Sequence, residues 1–219
     1  DLRRMLTYLI VAEVGYMVGG VWLANAQGMT GAILHIVNDA LMTLCLFLAV
    51  SAIASRAESL DFDRLRGLFR RMPVTMAALV VAALSMIGVP PTCGFFSKWY
   101  LLLGGIEAGQ WLYVGALIFS SLVNAVLFFR VIEIAYFRTS EGDANVEGPA
   151  AEPVREEAPA MMLQPLVAAA AALIAVGLVT GPLVPVSYTH LRAHETPEHL
   201  VCRLLLEKKK NIHATTALH

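Results

Sequence analysis

The stretch GVPPTCGFFSK, residues 88–98, lies within one of the most apolar parts of the sequence and ends on a lysine. Pro90 and Pro91 have no backbone N–H, and the ring of each clashes with the carbonyl four residues earlier, so two carbonyls should lose their helical partners. Gly88 and Gly94 give the backbone the freedom to leave one half-helix and begin another. We therefore predict a helix that is interrupted between Gly88 and Gly94.

The composition indicates that this helix belongs to a membrane protein. The chain has 219 residues, of which 58% are hydrophobic and 15% charged, and its mean hydropathy is +0.66. These values are too apolar for an ordinary soluble domain, although a large soluble core is the alternative. A bilayer span needs roughly 20 apolar residues. We predict an all-α polytopic helix bundle with five transmembrane segments, the third interrupted, at about 5–24, 30–54, 73–103, 111–137 and 159–184.

Arginines occur in every second connection between these segments. Arg3 and Arg4 precede the first segment, and connection 55–72 holds five arginines, whereas connections 25–29 and 104–110 have no basic residue. Basic connections tend to remain on the cytoplasmic side, so the first segment should run from inside to outside. Apolar residues recur at helical spacing within 55–72, which predicts an amphipathic helix on the membrane surface. An ordinary solvated loop is the alternative there.

The last part of the chain differs sharply in composition. One histidine and one lysine occur before residue 186, whereas residues 186–219 hold five histidines and three lysines. VSYTHLRAHET resembles a translated transposase adapter from a sequencing library, and HLVCRLLLEKKK resembles the flow-cell end followed by a run of adenines. We therefore predict that residues 186–219 are a non-native tail; a real basic tail that binds lipid headgroups is the alternative. Since the chain begins at Asp1 and leads directly into a span, we also expect a fragment without its N-terminal part.

Lys98 is the first candidate for chemistry. It follows Gly94 by one turn, so its flexible side chain can place the ammonium among the freed carbonyls. Lost hydration lowers the proton affinity of a lysine and a neighbouring acid raises it, so Lys98 could load and release a proton as its surroundings change. The alternative is that Lys98 extends to the membrane interface and the two prolines form only a packing kink.

Other polar residues lie within the predicted spans. His35 and Asp39 are four residues apart and share one helix face, so they could relay protons or form a structural hydrogen bond. Glu13 is more typical of a wet or helix-capping residue than of a proton path. Asn124 could hydrogen-bond between helices. Arg130 and Glu133, three apart near a helix end, are expected to pair.

Five stretches together carry a family resemblance: DLRRMLTYLIVAEVGYM, GAILHIVNDALMTLCLFL, GLFRRMP, SMIGVPPTCGFFSKWYLLLG and FFRVIEIAYF. In this order they resemble the C-terminal part of the proton-conducting antiporter-like membrane subunits. That family comprises the large subunits of Mrp-type sodium/proton antiporters and their relatives in respiratory complex I and membrane-bound hydrogenases. The resemblance covers residues 1–184 and is most specific at 88–98. GVPPTCGFFSKWYLLLG and EAPAMMLQPL look most similar to the D-type large subunits of the Mrp antiporters.

The resemblance implies roles for particular residues. Lys98 matches the lysine or glutamate on the family's discontinuous helix, which ends the proton path across the subunit. His35 matches a family histidine, but Asp39 and Thr43 stand where many relatives have a histidine and a lysine. The departure puts conduction through this segment in doubt. If the preceding helices are missing, the faces of His35, Asp39 and Lys98 should be open to lipid, and the segment should not transport protons by itself.

The function implied is that of a proton-translocating subunit of a multi-subunit monovalent cation/proton antiporter. Two alternatives are a proton-pumping subunit of an NADH:quinone oxidoreductase or hydrogenase, and a non-conducting scaffold subunit. The expected partners are protons, a monovalent cation, other membrane subunits and the lipid of the bacterial cytoplasmic membrane. We expect no nucleic-acid partner, no cofactor and no catalytic chemistry, because the sequence carries no phosphate-binding loop, nucleophile triad or metal-ligand set.

Overall fold

The computed structural model describes residues 1–57, 59–137 and 157–193, and within these ranges the regular structure is entirely helical. The long helices are joined by short connections. In chain order the α-helices are α1 (Leu2–Trp22), α2 (Ala26–Ala54), α3 (Leu68–Arg71), α4 (Pro73–Ile87), α5 (Cys93–Glu107), α6 (Trp111–Phe137) and α7 (Ala160–Ala193).

The predicted membrane bundle is confirmed. Four helices are long and apolar enough to cross a membrane, namely α1, α2, α6 and residues Ala160–Thr180 of α7, and α4 is a shorter apolar helix. The remaining predicted segment, the interrupted third one, is the pair α4 and α5, two helices of 15 residues each with the break between them. The chain is therefore an integral membrane protein.

Local chemistry explains where several helices begin. The Asp1 carboxylate accepts a hydrogen bond from Arg3 N at 3.0 Å and caps α1. Asn25 caps α2 by accepting from Gly28 N at 2.7 Å. Proline is favoured in the first turn of a helix because the N–H that it lacks would have no partner there. Pro73 occupies this place in α4.

Helix α2 lies at the centre of the bundle, in contact with α1, α4 and α5. Its contact with α5 is close because glycines face backbone: a Cβ on Gly104 would lie 2.5 Å from Gly28 N, and one on Gly31 would lie 2.6 Å from Leu101 N. Small residues allow such approaches between membrane helices, where van der Waals packing and interhelical hydrogen bonds drive association. The Asn25 side-chain amide adds a hydrogen bond to Gly104 O at 2.7 Å. These contacts fix α5 against α2.

The arginine-rich connection does not form the predicted amphipathic helix. Its described residues form a 3₁₀ helix, Phe62–Leu65, and α3, each of four residues, and Gly67 between them has the left-handed φ of 73°. Its apolar residues join the core of the bundle rather than facing a membrane surface; those buried are Leu60, Leu65, Leu68 and Met72. The prediction was wrong because their spacing reflects packing against the bundle.

The chain divides into two compact units, Asp1–Thr180 and Gly181–His219. In the second unit the backbone is helical as far as Ala193, beyond the predicted end of the last span at residue 184. Residues 194–219, which hold most of the predicted non-native tail, lie outside the described residues. The adapter origin of that tail stays a prediction.

Candidate functional site

The helix break has the predicted position. Helix α4 ends at Ile87, and Gly88 follows with φ 92° and ψ 46°, a left-handed conformation that glycine adopts without steric cost. The N–H groups of Gly88 and Val89 both donate to Leu84 O, at 3.0 and 2.9 Å. Helix α5 then begins at Cys93. The chain thus leaves one half-helix and starts the next within five residues, 88–92.

The two half-helices touch through Gly94 and Ser85. A Cβ on Gly94 would collide with Ser85 O, so only glycine fits at this crossing. The Ser85 hydroxyl lies 3.3 Å from both Gly94 N and Cys93 Sγ. On the other side, Asn38 of α2 donates to Cys93 O at 2.8 Å. These contacts bind the start of α5 to both α4 and α2.

The ammonium of Lys98 points into the break. Its Nζ donates to Met86 O at 2.5 Å and to Glu13 Oε1 at 3.0 Å, and it lies 5.2 Å from the centroid of the Tyr16 ring. Met86 O is one of the two carbonyls that the prolines were predicted to release. Lys98 is only 7% exposed, so the alternative in which it extends to an interface is wrong. The break supplies an acceptor and α1 supplies the counter-charge.

Glu13 lies at the centre of the site. Its carboxylate is fully buried; Oε1 accepts from Lys98 and, at 3.1 Å, from Asn124 Nδ2 of α6. Oε2 lies 2.9 Å from His35 Nε2, although the ring N–H direction does not give a well-aligned hydrogen bond. The interpretation of Glu13 as a wet or capping residue is therefore wrong, because side chains from three other helices surround it. The interhelical role expected for Asn124 is confirmed.

His35 pairs with residues of other helices rather than with Asp39. Its Nδ1 lies 3.0 Å from the Ser97 hydroxyl of α5, and its Nε2 faces Glu13. The Asp39 carboxylate instead accepts a long hydrogen bond, 3.4 Å, from Thr43 one turn further along α2. Asp39 therefore lies beside the Glu13, His35 and Lys98 cluster rather than within its hydrogen bonds.

We expected the polar faces to be open to lipid, but they are covered. His35 is fully buried and Asp39 is 8% exposed, because α1, α4 and α5 of this same chain pack around α2. By contrast, Arg130 and Glu133 form the predicted pair at 2.8 Å with about half of each side chain exposed. That pair belongs to the surface of the bundle and not to the buried cluster.

Glu13 lies between two basic groups. Its carboxylate oxygens are 3.0 Å from Lys98 Nζ and 2.9 Å from His35 Nε2, although only the first contact is a well-aligned hydrogen bond. Removing either base would leave a buried charge with less compensation, which is costly in a low-dielectric interior. The two basic groups therefore stabilise the buried Glu13 carboxylate.

Sequence reasoning undervalued one residue and missed another. Glu13 lies in the apolar stripe of α1, flanked at helical spacing by Leu6, Leu9 and Tyr16, all buried. A charged residue within such a stripe faces the bundle, and that signal was available. The role of Ser97 depends on a contact with His35, 62 residues away, which the sequence does not indicate.

Several known proteins are similar to this chain in sequence. Residues 1–124 match the family described as NADH:quinone oxidoreductase/Mrp antiporter, TM. The chain is 44% identical over 182 residues to the NADH-quinone oxidoreductase subunit N of Desulforudis audaxviator, covering 81% of this chain and 36% of that protein. It is 28% identical over 143 residues to the putative antiporter subunit mnhD2 of Staphylococcus epidermidis, covering 65% and 29%.

Two solved structures have a similar fold. The Mrp complex from Dietzia sp. DQ12-45-1b gives a TM-score of 0.71 at 21% identity, over 83% of this chain and 40% of the matched chain. Respiratory complex I from Thermus thermophilus with bound NADH gives 0.67 at 22% identity, over 83% and 37%. The chain spans only about a third of the length of the curated relatives it matches.

Proposed function

Because the chain belongs to the NADH:quinone oxidoreductase/Mrp antiporter transmembrane family, we propose that it forms part of a proton-translocating membrane subunit. The observation that carries this proposal is the buried contact of Glu13 with both His35 and Lys98 at an interrupted helix. Ionisable residues inside a membrane protein are costly and mark ion or proton pathways. Broken helices at membrane depth present free backbone groups to ions in transporters.

In the proposed transfer, the Lys98 ammonium gives a proton to Glu13, which leaves a neutral amine and a neutral carboxylic acid. Met86 O stays as a hydrogen-bond acceptor for the amine. Glu13 then gives its proton to His35, and the carboxylate that remains stabilises the imidazolium. Each step moves one proton and creates no uncompensated pair of like charges.

Two kinds of assembly could drive this movement. The greater identity to a quinone oxidoreductase subunit, 44% against 28% for the antiporter subunit, favours a redox-driven complex over a cation/proton antiporter. In either case the proposed partners are protons and other membrane subunits. The cation/proton antiporter would also bind a monovalent cation. We place the chain in a bacterial cytoplasmic membrane. The arginine pattern supports an orientation in which residue 1 lies on the cytoplasmic side.

The test is proton uptake by the complete parent assembly in lipid vesicles, driven first by quinone reduction and then by a sodium gradient. We expect Lys98→Ala to abolish uptake under whichever drive works for the unmodified assembly. Arg130→Ala is the matched control, because it also removes one cation but from an exposed pair. Unchanged uptake with Lys98→Ala in a fully assembled complex would show that this segment is a non-conducting scaffold.

A further inference from the structure

The Ser97 hydroxyl lies between two groups that can use its single proton. Its Oγ is 3.0 Å from His35 Nδ1 and 3.2 Å from Gly94 O, in a side chain that is fully buried. A hydroxyl donates one hydrogen bond and can accept others, and its hydrogen rotates to suit its neighbours. Ser97 can therefore be a donor or an acceptor toward His35 without moving its oxygen.

The proposed transfer determines which ring nitrogen of His35 carries the proton. Glu13 faces Nε2, so a neutral ring that receives a proton from Glu13 carries its own proton on Nδ1 and donates it to Ser97, whose hydroxyl donates to Gly94 O. When the ring is charged, Nδ1 still donates to Ser97, and this hydrogen bond becomes charge-assisted. In both states Nδ1 has a partner, although the ring lies in a fully buried position.

We propose that Ser97 is a positioning residue that allows His35 to become an imidazolium inside the bundle. This inference deepens the proposed function and rests on it, because it assigns to Ser97 the support of one proton-carrying state. Without the hydroxyl, the charged ring loses a charge-assisted hydrogen bond and keeps a buried N–H with no acceptor. The neutral ring loses only a neutral one, so the charged form suffers more.

Other charges around His35 stay constant in this comparison. Glu13 and Tyr16 face the ring from α1, Asp39 lies on its own helix, Lys98 comes from α5, and α6 contributes a neutral amide through its contact with Glu13. Removing the Ser97 hydroxyl changes none of these groups. A change in the protonation of His35 can then be attributed to Nδ1.

The experiment measures the charge state of His35 directly, by nitrogen-15 NMR of ring-labelled histidine in the full chain in lipid bilayers. His35 becomes the only histidine when the five later ones are replaced, through His190→Gln, His194→Gln, His199→Gln, His213→Gln and His219→Gln. At a fixed pH we expect Ser97→Ala to lower the ratio of charged to neutral ring by about tenfold or more. Ser97→Thr, which keeps a hydroxyl, should restore the original ratio.

Ser85→Ala is the matched control. It deletes another buried hydroxyl at the same helix break, one that contacts Cys93 and Gly94 but not His35. An unchanged ratio in Ser97→Ala would overturn the inference, and so would an equal change in Ser85→Ala, since a general disturbance of the break would then be the cause. The NMR ratio does not depend on proton uptake, so the proposed function can fail in vesicles while this result stands.

Discussion

Replacing Lys98 by methionine should destabilise the folded chain by about 3 kcal/mol. Breaking a buried ion pair by removing one partner typically costs roughly 3–5 kcal/mol, because the other charge stays buried. The Glu13 carboxylate would keep its hydrogen bond from Asn124 and its contact with His35 at 2.9 Å. These two contacts stabilise part of the remaining charge, so we expect the lower end of that range.

A double-mutant cycle isolates the pair. The free energy of unfolding of the full chain would be measured in detergent for Glu13→Gln, for Lys98→Met and for both together. We expect the double variant to be more stable than the sum of the single effects predicts by at least about 2 kcal/mol. A second cycle with Arg130→Met and Glu133→Gln serves as the control.

The control pair has nearly the same separation but different surroundings. Its nitrogen and oxygen lie 2.8 Å apart, against 3.0 Å for Lys98 and Glu13, yet about half of each side chain is exposed. Exposed pairs on one helix contribute only about 0.3–0.5 kcal/mol. If both cycles gave the same small coupling energy, the buried pair would not exist in the folded chain and the site would have to be rebuilt.

Two further predictions concern how the half-helices are held. Gly94→Ala should destabilise the chain by about 1–3 kcal/mol, because its Cβ would collide with Ser85 O. Gly15→Ala, which has open space around the new Cβ, should instead stabilise α1 slightly. Thermal unfolding measures both effects. Glu157→Ala should cost about 0.5–2 kcal/mol by the same assay, because its carboxylate accepts from Val74 N and from the Thr75 hydroxyl at the start of α4. If Gly94→Ala or Glu157→Ala left the stability unchanged, the contact described for that residue would be contradicted.

The break itself could be predicted from sequence because its causes are local. Proline removes a donor and a left-handed conformation favours glycine, so a few neighbouring residues determine where α4 ends and α5 begins. The Lys98 contact with the freed Met86 carbonyl joins residues only 12 positions apart. These features need no knowledge of how the helices pack.

The partners of Glu13 could not be predicted because they come from distant parts of the chain. Lys98 is 85 residues away and Asn124 is 111 residues away, and helical periodicity gives the buried face of a helix but not the helix that covers it. The expectation of open polar faces failed for the same reason. It assumed that missing helices would be needed to cover α2, whereas α1, α4 and α5 pack around it.

The buried charges also bear on Asp39, one of the two residues that depart from the family pattern. If Lys98 is charged, Glu13 and Asp39 are ionised and His35 is neutral, the cluster together with Asp39 carries one net negative charge, and protonation of His35 makes the group neutral. A histidine at the position of Asp39 would supply no such carboxylate, so a charged His35 beside Lys98 would leave the cluster with net positive charge. We propose that the aspartate favours proton uptake at His35 and marks an altered proton site rather than the loss of one.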